Sequence, residues 1–206
     1  MDVEIEHPHA HHRTGHPWLD KLLPLSALLI SVVSIGIALH HGKVMQALVE
    51  QNERLVQANS IPHLQLSGSN ARDDGTPEIS FEVSNRGVGP AEIRSVQILV
   101  DGRPIRTPGE IFRACCDFEG TAPVTSSTLL GTMIQPGQLV RYIRLQPTKA
   151  SMEVASKFDL ARQQDRIVTN ICYCSVFDEC WTRSSEGTLR PKRVESCPMP
   201  EPQYRY

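Results

Sequence analysis

The chain has 206 residues, with 21 Lys and Arg against 23 Asp and Glu and a net charge of −2. That length holds one ordinary domain plus an appendage. From Ile61 to Tyr206 basic and acidic residues number 17 each, so there is no basic stripe to follow a phosphate backbone, which argues against nucleic-acid binding.

Residues 1–17 form a polar tail in which His7, His9, His11, His12 and His16 crowd together. Clustered neutral imidazoles bind Zn, Ni or Cu weakly and unselectively, so this tract is a candidate metal-ligating segment. The alternative is a polar tail without a ligand. Residues 18–40 read as a transmembrane helix. From Leu22 to Leu39 the sequence carries no charged residue, and starting at Trp18 it approaches the roughly 20 residues that cross a bilayer core. Trp18 suits the interface, and Pro24 falls near the start of the helix. A cleaved signal peptide is the rival reading. It fits poorly, because the preceding segment is acidic, the apolar run exceeds a typical signal core, and the exit "GIALHHGKV" offers only a poor small-x-small cleavage site.

Residues 41–60 continue as a helical stalk. Ala27, Ser31, Ser34, Ala38, His41, Met45, Leu48, Asn52, Leu55 and Asn59 alternate at spacings of four and three, a coiled-coil seam. Its membrane half is small residues, which let helices approach closely in lipid. Asn52 and Asn59 fall on one heptad position, where a buried Asn fixes register. The expected partners are the bilayer and other membrane proteins or a second copy, met through this helix. Gly42 and the short soluble part weigh against strong self-association.

Pro62 ends the helix, and residues 61–190 then alternate in the manner of strands. Ile79, Phe81 and Val83 share a face, as do Val96, Ile98 and Val100 before the Asp101-Gly102 turn, and Leu139, Ile143 and Leu145. A long strand at 166–177 returns through "CWTRS". Six or seven strands separated by Gly and Pro predict a mainly β fold, an antiparallel immunoglobulin-like β-sandwich. Short helical insertions are expected after Pro108 and around Met152 to Leu160. Residues 191–206 are proline-rich and read as an extended tail.

"NRGVGPAEI", Asn85 to Ile93, is a shaped connection in which Gly87 and Gly89 are expected at positive φ. This N-x-G-x-G-P-A turn, behind an apolar anchor and an "IPHLQL" first strand, resembles that of a set of bacterial single-pass membrane-anchored proteins. The resemblance implies an immunoglobulin-like fold and no particular activity.

The six cysteines, Cys115, Cys116, Cys172, Cys174, Cys180 and Cys197, all follow residue 114. His63 is the one histidine from Ile61 onward, which leaves Ser-His and Cys-His chemistry without a base. The sequence also lacks a nucleophile elbow, a zincin helix and a P-loop. No catalytic residue, cofactor or small-molecule substrate is therefore expected. The C-x-C and C-x5-C spacings match zinc knuckles poorly. An even cysteine count without histidine fits disulfides in an oxidising compartment. Cys174 and Cys180 flank a turn and could pair across a hairpin, Cys172 could reach Cys115 or Cys116, and Cys197 could pin the tail; six cysteines allow about 15 pairings, and the sequence does not choose among them. Charges flanking the apolar run do not decide orientation. The cysteines place the N-terminus in the cytoplasm of a bacterium and the domain in the periplasm. The functional expectation is a non-catalytic accessory or scaffold subunit of an inner-membrane assembly. A ligand-binding sensor module and metal handling by the tail are the alternatives.

Overall fold

A computed structural model describes residues 18–120, 124–187 and 190–205. The five histidines of the N-terminal tail lie outside the described residues. The chain divides into two units, residues 1–54 and 55–206.

The first unit is built on helix α1, Leu19–Ala58, which continues into the second unit for its last residues. At a rise of 1.5 Å per residue it is about 60 Å long. Among the described residues it is the one helix long and apolar enough to cross a membrane. Its Leu, Ile and Val side chains are exposed in the isolated chain. Serine hydroxyls in the apolar part are satisfied locally: Ser26 donates to the Leu23 carbonyl and Ser31 to that of Ala27, both at 2.9 Å. A hydroxyl bonded to its own helix turn needs no water.

The second unit is mainly antiparallel β. One sheet has the order β1-β2-β7-β5, with β1 Leu64–Ala71, β2 Pro77–Asn85, β5 Val124–Ser126 and β7 Leu139–Leu145. The other has the order β10-β9-β8-β3-β4, with β3 Ala91–Val100, β4 Arg103–Ile105, β8 Ile167–Cys174, β9 Cys180–Ser184 and β10 Lys192–Val194; β6, Met133–Ile134, pairs with β3. Among the described residues the ten strands exceed the six or seven expected, because β4, β5, β6 and β10 have only two or three residues each, too few to show alternation. The tail read as extended is part of the sheet: Lys192–Val194 pairs with β9, and Tyr204 is buried with its N–H on the Val96 carbonyl.

The two sheets share one core, with Leu64, Phe81, Val83, Ile143 and Leu145 from the first and Ile93, Val96, Ile98, Ile171 and Tyr173 from the second. Two buried hydrogen bonds cross between them, Tyr142 Oη to Thr169 Oγ1 at 3.0 Å and Leu64 N–H to Tyr173 Oη at 3.3 Å. Both helical insertions form: α2, Pro108–Cys116, and α3, Met152–Gln163. Phe158 of α3 joins them to the core, 4.9 Å from the Phe112 ring and 5.6 Å from that of Phe81.

Register shifts explain where alternation misleads. The pairing of β2 with β7 skips Tyr142, so both Tyr142 and Ile143 are buried, and Val140 packs against the core instead of Leu139. Leu139, grouped with Ile143 by alternation, is therefore exposed. A bulge reverses facing in this way. The polar residues of β2, Glu78, Ser80 and Glu82, are buried beneath arginines. Arg141 reaches Glu82 at 2.9 Å and Asp73 at 2.8 Å, and Arg72 lies 3.6 Å from Glu78.

Candidate functional site

Two features of the second unit gather the chemistry the sequence singles out: the junction where α1 ends, and the cysteine-bearing face of the second sheet.

The junction is organised by Asn85, the last residue of β2, which is fully buried. Its Oδ1 accepts from the N–H of His63 at 3.2 Å and of Gly87 at 2.9 Å. Its Nδ2 donates to the carbonyls of Gly89 at 2.8 Å and Ile134 at 3.0 Å. The amide is thus used on both atoms, twice each, which is the most its donors provide. Around it the Arg86 N–H bonds the His63 carbonyl at 2.8 Å, and Val88 and Gly89 both donate to Ile61 at 3.2 Å. The segment leaving the helix is therefore tied backbone to backbone to the 86–89 turn.

Gly87 and Gly89 are not at positive φ, contrary to expectation. They are needed for proximity. A Cβ on Gly89 would stand 2.0 Å from the Ser60 carbonyl oxygen, and one on Gly87 would stand 2.4 Å from the His63 nitrogen. Only a residue without a side chain lets the two backbones meet this closely. The sequence marks Asn85 as the first residue of the motif but not its role as the hub of the junction, because a strand-terminal Asn carries no periodic signal.

The seam residues Ala27, Ser31, Ser34, Ala38, Met45, Leu48, Asn52 and Leu55 all lie on α1 and are exposed in the single chain.

The cysteines are all in disulfides: Cys115–Cys116, Cys172–Cys197 and Cys174–Cys180. Cys174 and Cys180 are direct cross-strand partners with Cα atoms 4.0 Å apart, closed across the 175–179 turn. Cys172 does not reach Cys115 or Cys116. It bonds Cys197, because β10 folds back onto β9 and carries the tail over Cys172, while Cys115 and Cys116 end α2 and bond each other. Cys172, Cys174 and Cys180 share one face, opposite the core face of Tyr173 and Trp181, whose rings stack at 5.9 Å. The two disulfides touch: Cys174 Sγ lies 3.7 Å from Cys197 Sγ. Cys172 and Cys174 are buried, and Cys197 is half-buried.

Beside this sulfur cluster the tail roofs a groove of about 340 Å³, lined among others by Ser95, Gln97, Asn170, Cys172, Thr182 and Pro198. On the core side, burial pushes the Tyr173 phenol up to about 12, an effect that the Leu64 N–H and Arg183 partly offset. Tyr142 and Tyr204 are raised further, again by burial. All three phenols stay protonated at neutral pH and serve the core as neutral groups.

No family model matches the chain, and no curated protein does. Among solved structures, the chain is similar to one from the archaeal flagellum of Methanospirillum hungatei strain JF1, at 11% identity and a TM-score of 0.31 over 87% of this chain and 99% of that one, a likeness too distant to carry an argument.

Proposed function

We propose that the protein is a non-catalytic, membrane-anchored interaction subunit. On this reading α1 spans a bacterial inner membrane with its N-terminus in the cytoplasm. The β unit, an immunoglobulin-like sandwich, stands in the periplasm as a scaffold or docking module. The observation that carries the reading is α1, an apolar helix long enough to cross a membrane whose Leu, Ile and Val side chains are exposed, in one chain with a β unit whose cysteines are paired. An unpartnered apolar helix suits a subunit placed by its neighbours in an assembly. The fully paired cysteines support an oxidising compartment.

The test is isolation of the full chain from its native membrane in mild detergent. Other integral membrane proteins, or a second copy, are expected to co-isolate, and Ser31→Leu with Ser34→Leu is expected to release them. A chain recovered alone and monomeric, whatever stands at positions 31 and 34, overturns the reading. The polar-lined groove beneath the tail favours one second reading, a ligand-binding module. Its signature is a thermal stabilisation by a small polar ligand that is lost on Asn170→Leu.

A further inference from the structure

The two disulfides on the outer face of the second sheet have a geometry beyond that of two independent staples. Cys172 and Cys174 are two residues apart on β8, so their Cα atoms are about 7 Å apart and their side chains leave the same face. Cys197 Sγ is bonded to the first and stands 3.7 Å from the second. Cys180 is bonded to the second from the neighbouring strand. The Sγ atoms of Cys174, Cys180 and Cys197 all lie within 4.8 Å of one another. The sulfur that anchors the tail therefore sits beside two alternative partners on one strand, with van der Waals contact already made to the partner it does not bond.

We infer that Cys172, Cys174, Cys180 and Cys197 form a thiol–disulfide exchange site in which the tail anchor Cys197 migrates between Cys172 and Cys174. Exchange proceeds when a thiolate attacks a disulfide sulfur and expels the other as thiolate. A dithiol donor first reduces Cys172–Cys197 at its open sulfur, Cys197. The donor becomes a disulfide, and two thiols appear on the protein. The Cys197 thiolate then attacks Cys174 Sγ. The Cys174–Cys197 bond forms, the Cys174–Cys180 bond breaks, and its electron pair leaves on Cys180 Sγ, which takes up the proton that Cys197 gave. The product holds one disulfide and thiols at Cys172 and Cys180, the same totals as before the attack. The anchor now holds the next outward-facing cysteine of β8, and Cys197 Sγ has only closed from 3.7 Å to bonding distance of Cys174. Because Cys172 and Pro198 line the groove, the exchange frees the Cys172 thiol into its wall. The partner this site fits is a dithiol protein that donates electrons, and Cys197 is the most open of the four sulfurs. The inference stands apart from the interaction reading, since a membrane subunit can carry inert staples.

Two variants of the full chain in detergent approach the exchange from opposite sides. Cys180→Ser leaves Cys174 as a thiol beside Cys172–Cys197. Cys172→Ser leaves Cys197 as a thiol beside Cys174–Cys180. After incubation at neutral pH, acid quench, alkylation and peptide mapping, both are expected to yield a Cys174–Cys197 bond. Alkylation then appears at Cys172 in the first variant and at Cys180 in the second. Cys115–Cys116 stays intact in both, since unfolding would mix all the sulfurs. The unsubstituted chain treated with limiting dithiothreitol supplies a third arm that needs no variant to fold, and there some Cys174–Cys197 bond with thiols at Cys172 and Cys180 is expected. Alkylation confined to Cys174 in Cys180→Ser and to Cys197 in Cys172→Ser, or mixing that includes Cys115 and Cys116, overturns the inference. So does limited reduction that yields thiols only in the native pairs.

Discussion

Replacing Asn85 with Asp changes almost no volume and reverses one half of its hydrogen bonding. Oδ1 continues to accept from His63 and Gly87. The second carboxylate oxygen now faces the carbonyls of Gly89 and Ile134, at distances that are 2.8 and 3.0 Å for the native donor. Two buried carbonyls lose their donors, each costing about 1–3 kcal/mol, and a charge is placed where it meets only acceptors. A total of at least about 3 kcal/mol follows. Asn85→Ala loses all four bonds and leaves a small cavity, without the repulsion, for a cost of about 3–5 kcal/mol. In a unit of this size each kcal/mol moves the midpoint by about 2–4 °C, so the Asp variant should melt roughly 6–12 °C lower by circular dichroism of the full chain in detergent. Burial raises the new carboxyl's pKa above its unfolded value. The deficit should therefore shrink as the pH falls and the neutral acid regains a donor, and it should be largest at neutral pH and above. Hydrogen exchange at Arg86, Val88 and Gly89 should accelerate in both variants, since these amides bond the 61–63 segment. If Asn85→Asp is within about 0.5 kcal/mol of the native chain, the range of an ordinary surface change, the polar pattern at the junction is not what holds it.

Gly89→Ala should cost about 1–3 kcal/mol by overpacking, because backbone rather than a flexible side chain stands 2.0 Å from the new carbon, and crosslinking between positions 60 and 89 should fall with it. Phe158→Ala should cost about 3–5 kcal/mol in chemical denaturation and loosen α2 and α3 together, since that ring touches both Phe112 and Phe81. Alkaline titration should show tyrosinate absorbance rising for Tyr142, Tyr173 and Tyr204 only as the fold opens. For Tyr173 the folded value of about 12 lies above the ordinary 10, so its contribution is intact below pH 10 and falls by about 3 kcal/mol through the window up to 12. In a Tyr206→Phe chain, which leaves only these three phenols, ionisation near pH 10 in the folded state would contradict this. Paired Cys172→Ala and Cys197→Ala open a loop of sequence separation 25, which in the chain-entropy account removes about 3.5 kcal/mol and should expose the tail to protease.

Much of the β unit can be read from alternation. Ile79, Phe81 and Val83 face the core as their spacing implies, and the hairpin that closes Cys174 onto Cys180 follows from two strand runs around a polar turn. What alternation misses has identifiable causes. The skipped residue at Tyr142 reverses the facing of everything before it on β7, and a second shift near Arg94 does the same on β3. A bulge leaves no mark in a single sequence. The partner of Cys172 is not legible, because Cys197 is brought to it by the segment that follows β10, three residues of Lys-Arg-Val that look like any charged tail. The glycines of the 85–93 turn were legible as special, yet the reason is a contact with residues 60–63, which lie far enough back in the chain that local turn rules do not include them. Asn85 is legible as the first residue of that motif, but its role is not, since two of its four partners, His63 and Ile134, lie far from the turn in the chain.

The claim that the helix engages neighbours through one face is tested most directly by photo-crosslinking in the native membrane. A photoreactive residue would be placed in turn at Ser31, Ala38, Met45 and Leu48 on the seam and at Leu29 and Ala47 on the opposite side. The account predicts defined crosslinked species from the seam positions and none, or only lipid adducts, from the opposite side. Equal crosslinking from both faces, or none from either, would contradict it.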